Sequence, residues 1–392
     1  MRIWTRSGVL RAAFLLGGCL ALASCAPQET GGERKAGGER KAAPKHYVET
    51  SDKNPNAGDL LLHDGRLYVA LERRKGFQAT ANGLLLVIDP ATDRIEGSIE
   101  LGHRNPQSLV VHGGALYVAS SGEMYGNERG AVEAVDLAVR RVSTLFTAKD
   151  LGGDPTRLEP KNGPVFYLQV RTGHGRAKVL EVDVAQGKIL STLGGPDDVN
   201  TLDYDPAEDR LWVGRRREDQ FEGEGEVEVF DGAGQRVAGP FRASLAPFSL
   251  LRTGDPGARR TFLIGSDLEA GVLAWSEEGG ALPFARSELE IHHDSDLREH
   301  GGSVFILERF GADNILKLSP RREGKPAIVY RVHLGELWNP VDLEVVSTRK
   351  AYISLENHPE ILVFDPEAGK VVSRIDISNV SDSSTARTGA NP

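Results

Sequence analysis

Five stretches of the chain share one order of apolar and polar positions. They are LLLVIDPATDRI at 84–95, AVEAVDLAVRRV at 131–142, KVLEVDVAQGKI at 178–189, EVEVFDGAGQRV at 226–237 and EILVFDPEAGKV at 360–371. Each runs an apolar-alternating strand into an aspartate, then a short turn, a basic residue and a second apolar strand, which is the pattern of a hairpin. The aspartates stand at 89, 136, 183, 231 and 365, so the first gaps are 47, 47 and 48 residues and the last, 134, is about three periods. GVLAWSEEGGAL at 271–282 and NILKLSPRREGK at 314–325 fill that gap, with Ser276 and Ser319 in place of the aspartate. The count is seven units.

Ahead of each hairpin come a turn and two more apolar strands. NPQSLVVHGGALYVAS at 105–120 and NPVDLEVVSTRKAYIS at 339–354 show this best, and the segments starting at 57, 153, 199, 245 and 292 are looser versions. Seven units of four strands at a period near 46 predict an all-β fold, a seven-bladed β-propeller of four-stranded antiparallel blades spanning 46–378. VVSRIDI at 371–377 reads as the outer strand of blade seven, and HYVET at 46–50 is a candidate to add beside it and close the ring. LYVA at 67–70 and 116–119, with IDPATDR at 88–94, resembles the YVTN-type, YncE-like propellers of prokaryotic surface and periplasmic proteins, which are WD40-like in shape. The resemblance covers residues 58 to about 378 and implies the fold, not a function. Blades five and six depart from it by losing the aspartate, which marks them as candidates for a specialised surface.

The first 45 residues follow another pattern. Arg2, Arg6 and Arg11 precede an apolar run, Val9–Ala23, of signal-peptide length and too short to span a bilayer comfortably. Leu22-Ala23-Ser24-Cys25 resembles a bacterial lipobox, which implies cleavage after residue 24 and lipidation of Cys25; an ordinary secretory signal with an incidental cysteine is the other reading. The resemblance also implies, from Ala26 following the cysteine, an outer-membrane lipoprotein of the cell envelope, periplasmic or surface-exposed. Residues 25–45, with GGERKA written twice, offer almost nothing to bury and are expected to form a flexible tether. Residues 379–392 read as a disordered tail.

Charge narrows the partners. The formal net charge of −9 becomes −12 once the three leader arginines are gone, which disfavours nucleic acid. Cys19 lies in the leader, so the mature chain has no cysteine pair and must hold itself together by its core. The expected partners are a membrane, through the lipid on Cys25, and an envelope protein, peptide or glycan. A monomer is expected.

The repeated aspartates suit turn geometry better than chemistry, because an Asx side chain accepts backbone N–H bonds two residues on. Long connections between the second strand and the hairpin, RRKGFQATANG at 73–83, YGNERG at 125–130 and RRREDQFEGEGE at 215–226, should crowd one face. They nominate Arg73, Arg74, Phe77, Tyr125, Arg129, Arg215, Arg216 and Phe221 as partner contacts, since arginine and aromatic side chains anchor interfaces; charged loops that only keep the ring soluble are the competing reading. IHHDSD at 291–296 opens blade six near the channel. His292 and Asp294 there, with Asn339, are candidate ligands for a divalent metal such as Ca or Zn, against the alternative of a solvated polar rim. No other cofactor is expected. G-x-S-x-G, C-x-x-C-H and a phosphate loop are absent from the sequence, and no cysteine follows Cys25. A binding or scaffold propeller is therefore the leading expectation, with a metal-assisted hydrolase or lactonase at the channel mouth as the alternative.

Overall fold

The computed structural model describes residues 55–378 except 124–128, 174, 196–197, 217–223, 244, 255–259, 268–269, 278–284 and 320–325. Seven four-stranded antiparallel sheets follow one another along the chain, at 57–100, 106–147, 154–192, 199–243, 246–291, 295–333 and 340–376. All seven expected blades are present, blades five and six included. Blade one carries an extra two-stranded hairpin, Arg74–Lys75 with Gln78–Ala79, in its long connection. The leader, the tether, HYVET and the tail fall outside the described residues.

Period-two alternation explains how the blades stack. In the second strand of blade one, Leu67, Val69 and Leu71 pack toward blade seven, while Tyr68 and Ala70 pack toward blade two. The same division runs round the ring, and the described residues form seven buried apolar clusters, one at each junction between neighbours. Strands buried on both faces read as near-continuous apolar runs such as LYVAL and VFYLQV, which is why the repeat is visible in sequence.

The inner strand of each blade presents an unpaired edge to the channel, and its free N–H groups need acceptors. At five of the seven junctions a side chain of the preceding blade supplies one. Asp59 Oδ2 accepts from the Leu109 N–H at 2.6 Å, Ser108 Oγ from Leu158 at 3.2 Å, and Ser249 Oγ from Leu297 at 3.1 Å. Asp342 Oδ2 accepts from Leu60 at 2.8 Å, so blade seven meets blade one by the same device as its fellows. On the far face the Tyr352 hydroxyl donates to Asp93 Oδ1 at 2.5 Å and Lys350 donates to the Pro90 carbonyl at 2.6 Å, across that same junction. Blade seven has four strands of its own, with Lys370–Asp376 paired to Glu360–Asp365, as the sequence indicated for VVSRIDI.

The hairpin aspartates hold turns. Asp89 accepts from the Ala91 N–H, Asp136 from Ala138, Asp183 from Ala185 and Gln186, Asp231 from Ala233 and Gln235, and Asp365 from Glu367 and Ala368, at 2.8–3.0 Å. The bond from Ala91 holds the Asp89 carboxyl below its ordinary range, as that from Ala368 does for Asp365.

Candidate functional site at the channel mouth of blades three and four

Up-and-down connectivity brings two sets of segments to one face: the starts of the entry strands and the links from second to third strands. The described ends of the long loops therefore lie on the face where the channel opens, as their matched positions in the repeat led one to expect. Glu356, just past the second strand of blade seven, also lies there, beside the entry residue Asn339.

Entry-strand residues line this mouth. Asn56, Asn105 and Asn339 adopt left-handed backbone, φ 53–58°, a conformation asparagine tolerates better than most residues. Arg74 donates through Nε to Glu72 and through Nη2 to Glu356 Oε1 at 2.5 Å. Gln107 donates to Glu72 at 2.9 Å. Arg309 reaches Glu356 Oε2 at 3.3 Å, Asn339 Oδ1 at 3.3 Å and Asp294 Oδ1 at 3.9 Å. Asn339 also donates to Glu356. Burial alone would raise the Glu356 carboxyl, but Arg74 and Arg309 outweigh it and hold it below the ordinary range. At Asp294 burial wins, and its carboxyl sits above that range despite Arg309 and His292. One buried ion network thus links blades one, two, six and seven.

The nominated residues divide accordingly. Arg74 belongs to the ion network. Arg215 is buried, donating to Glu228 Oε2 at 2.6 Å and Asp198 Oδ1 at 2.9 Å, and Arg216 is buried with Nη2 2.6 Å from the Gly175 carbonyl. Arg73 and Phe77 are half-buried beside and at the tip of the blade-one hairpin, and Arg129 is exposed. That hairpin is braced to blade two through Arg104, which contacts the Ala79 carbonyl and Glu123. Tyr125 and Phe221 lie outside the described residues, as does Cys25. Among the metal candidates, His292 Nδ1 lies 3.4 Å from the Asp294 carbonyl, while Asp294 and Asn339 both face the Arg309 guanidinium. Among the described residues no three His, Cys, Asp or Glu side chains converge as a metal site.

A cavity of about 560 Å³ opens at the channel mouth, with most of its walls from blades three and four and the rest from blades two, five and six, a volume within the usual small-molecule range. The second and third strands of blade three run on to Gly173 and back from Arg176, and this extended hairpin supplies one wall of the cavity. The walls are polar, with Arg171, Arg176 and Arg216 among the cations, Gln169 and Thr201 beneath, and Phe248 as an aromatic surface. Gln169 bridges the blades by donating to the Val199 carbonyl at 3.3 Å. Sequence reasoning missed this group. The available signal was RTGHGR at 171–176, two arginines spaced by glycines in an unusually short link.

Gly153 sets the approach of the blade-three entry strand to this wall, because a Cβ there would lie 2.3 Å from the Arg171 carbonyl oxygen and 2.9 Å from Val170 Cγ1. Gly153→Ala is expected to cost about 1–3 kcal/mol by overpacking and to displace Arg171. A lowered urea midpoint with an unchanged m-value would register the first effect. An unchanged midpoint would show that the strand yields freely.

No known family matches the chain by sequence, and no curated protein does. Solved structures do match by shape. Hydrazine synthase of Kuenenia stuttgartiensis aligns with TM-score 0.61 at 14% identity, over 81% of this chain and 97% of that one. A functionally unknown protein from Desulfotomaculum acetoxidans DSM 771 gives 0.56 at 14%, over 74% and 91%. A lactonase-like protein of Bacteroides fragilis NCTC 9343 gives 0.57 at 16%, over 81% and 97%. At these identities the likeness establishes the fold, a seven-bladed β-propeller, and nothing finer.

Proposed function

We propose that this chain is a YVTN-type binding propeller of the cell envelope, tethered by a lipid on Cys25, whose loop-bearing face takes an envelope protein, peptide or glycan. The observation that carries the reading is the open polar cavity on the same face as the loops. Charged side chains elsewhere on this face are committed to one another: Glu356, Glu72 and Asp294 to Arg74 and Arg309, and Glu228 to Arg215. A rigid rim around an unfilled polar hollow suits recognition. The alternative, a metal-assisted hydrolase around His292, Asp294 and Asn339, has less support, because the Arg309 guanidinium already supplies the positive charge at that corner.

The loop contact is tested with Arg73→Ala, Phe77→Ala and Arg129→Ala combined. Capture of envelope peptide or glycan by the full chain should fall at least tenfold with the melting temperature unchanged; undiminished capture would remove these loops from the contact. The anchor is tested separately. Cys25→Ala should release the chain from the membrane fraction, and continued membrane association would defeat the lipid reading.

A further inference from the structure

Asparagine or aspartate precedes glycine at four places in the chain: 64–65, 82–83, 162–163 and 231–232. Such a pair carries a latent reaction, because the peptide nitrogen of a residue without a Cβ meets little obstruction in approaching the side-chain carbonyl before it. The fold separates the four. Gly83 is buried, its N–H donates to the His103 carbonyl at 2.8 Å, and a Cβ there would lie 2.6 Å from Pro106 Cδ. At Gly232 the same space is taken by the Asp209 carboxylate, and the Asp231 carboxylate is pinned by the Ala233 and Gln235 N–H groups. Gly65 and Gly163 stand instead in exposed turns, at φ 69° and 57°, with open space at that point. Of these two, Asn162–Gly163 offers the better electrophile, a neutral amide, where Asp64 offers a carboxylate. The Gly163 N–H has no acceptor among the described residues. Its turn is closed by Lys161 N–H to the Val165 carbonyl at 2.9 Å and by Val165 N–H to the Asn162 carbonyl at 3.2 Å.

We infer that Asn162 is a site of spontaneous deamidation, on the hairpin-turn face at the joint of blades three and four. Asparagine is among the thermolabile residues, and here the fold leaves it unprotected. The Gly163 nitrogen gives its proton to solvent base and bonds to Asn162 Cγ. The Cγ–Nδ2 bond breaks, and Nδ2 takes a proton from water and leaves as ammonia. Water then opens the five-membered imide at either carbonyl, which leaves aspartate or isoaspartate at 162. The balance is one water consumed and one ammonia released, with no change of oxidation state. The amide that is lost is in use. Asn162 Nδ2 donates to the Tyr204 hydroxyl at 3.4 Å, and that hydroxyl donates to Asp209 Oδ1 at 2.8 Å. Burial, and then Asp209, push the Tyr204 hydroxyl up, so it keeps its proton. A new carboxylate therefore meets Asp209 with one proton between two acceptors. Lys161 brings little relief, because its ammonium is spent on Glu181 and the Gly232 carbonyl, both at 2.5 Å. Nothing in this step depends on a ligand or on the lipid anchor.

The test is incubation of the full chain in mildly alkaline heavy-oxygen water, folded and in urea, followed by mass spectrometry of its peptides. In the folded chain Asn162 should convert at least about tenfold faster than Asn82, whose reaction must wait for a local opening of the fold. In urea the two should convert at comparable rates, since both precede glycine and neither is then protected. The new carboxyl should carry heavy oxygen, and an isoaspartyl methyltransferase should label the peptide. The rate should rise with pH, as loss of the glycine proton requires. Asn162→Gln should stay intact at that position, because its ring would have six members, while Asn82 behaves as before. Asn162→Asp should lower the urea midpoint; an unchanged midpoint would overturn the role given to the Tyr204 contact. Equal rates at 82 and 162 in the folded chain would overturn the inference itself. So would an Asn162 that stays intact when folded while urea converts it.

Discussion

Replacing Glu356 with alanine is expected to lower the unfolding free energy by about 3–5 kcal/mol, the cost of leaving buried partners of an ion network unpaired. Glu356 joins Arg74 of blade one to Arg309 of blade six and accepts from Asn339 of its own blade. Its loss leaves two buried guanidinium groups dependent on Glu72 and Asp294, with Asp294 3.9 Å away. Glu356→Gln, which keeps the shape and one acceptor oxygen, should cost distinctly less. Urea unfolding of both variants measures this. An alanine variant within 0.5 kcal/mol of wild type, the margin of an ordinary surface change, would show that the network does not hold these blades together.

Stability should also fall as pH rises from about 4 to about 8, by an amount on the order of a few kcal/mol. The inner faces of the entry strands carry carboxyls that burial has shifted. Asp203 is pushed up to about 8 by burial and then by Glu159, against Arg157 and the Arg252 N–H. Glu344 is pushed up to about 7 by burial and by Asp342. A folded-state carboxyl with a raised pKa binds more protons than its unfolded counterpart between the two values. Each rise in pH through that window therefore favours unfolding. Asp296 acts the other way. Burial would raise it, but Arg298 and Ser249 bring it down to about 2, so its contribution is present above pH 4 and fades in stronger acid. The stability maximum should accordingly lie near pH 4. Asp203→Asn should flatten the alkaline limb, raising stability at pH 8 relative to wild type. A wild-type profile that is flat from pH 5 to 8 would contradict this account of the channel.

The repeat was legible because both faces of each blade are buried. Apolar runs, a turn aspartate and a period of 46–48 are all local, and together they fixed seven blades and the face that carries the loops. What escaped was anything set by residues far apart in sequence. Arg74 and Glu356 are 282 positions apart, so nothing local separates a buried network arginine from an exposed contact. Arg215 and Arg216 sit in a charged run that reads as a solvated loop, yet the strand Arg210–Arg216 carries them inward to Glu228 and the Gly175 carbonyl. The cavity is walled by segments of blades two to six that lie far apart in sequence, and no local motif marks such a hollow. Asp59, Ser108, Ser249 and Asp342, which tie blades one, two, five and seven to the blade that follows, all precede a leucine in an entry strand. That X-Leu position was readable in the repeat, but its role depends on an N–H contributed by the following blade.

The central claim is that recognition occurs on the loop-bearing face over blades three and four. Amide hydrogen exchange of the full chain, with and without the envelope fraction it captures, locates the contact directly. The account predicts new protection at 171–177 and 199–201, where the cavity wall lies. Protection confined to the opposite face, at the hairpin turns 90–93, 137–140 and 366–369, would contradict it.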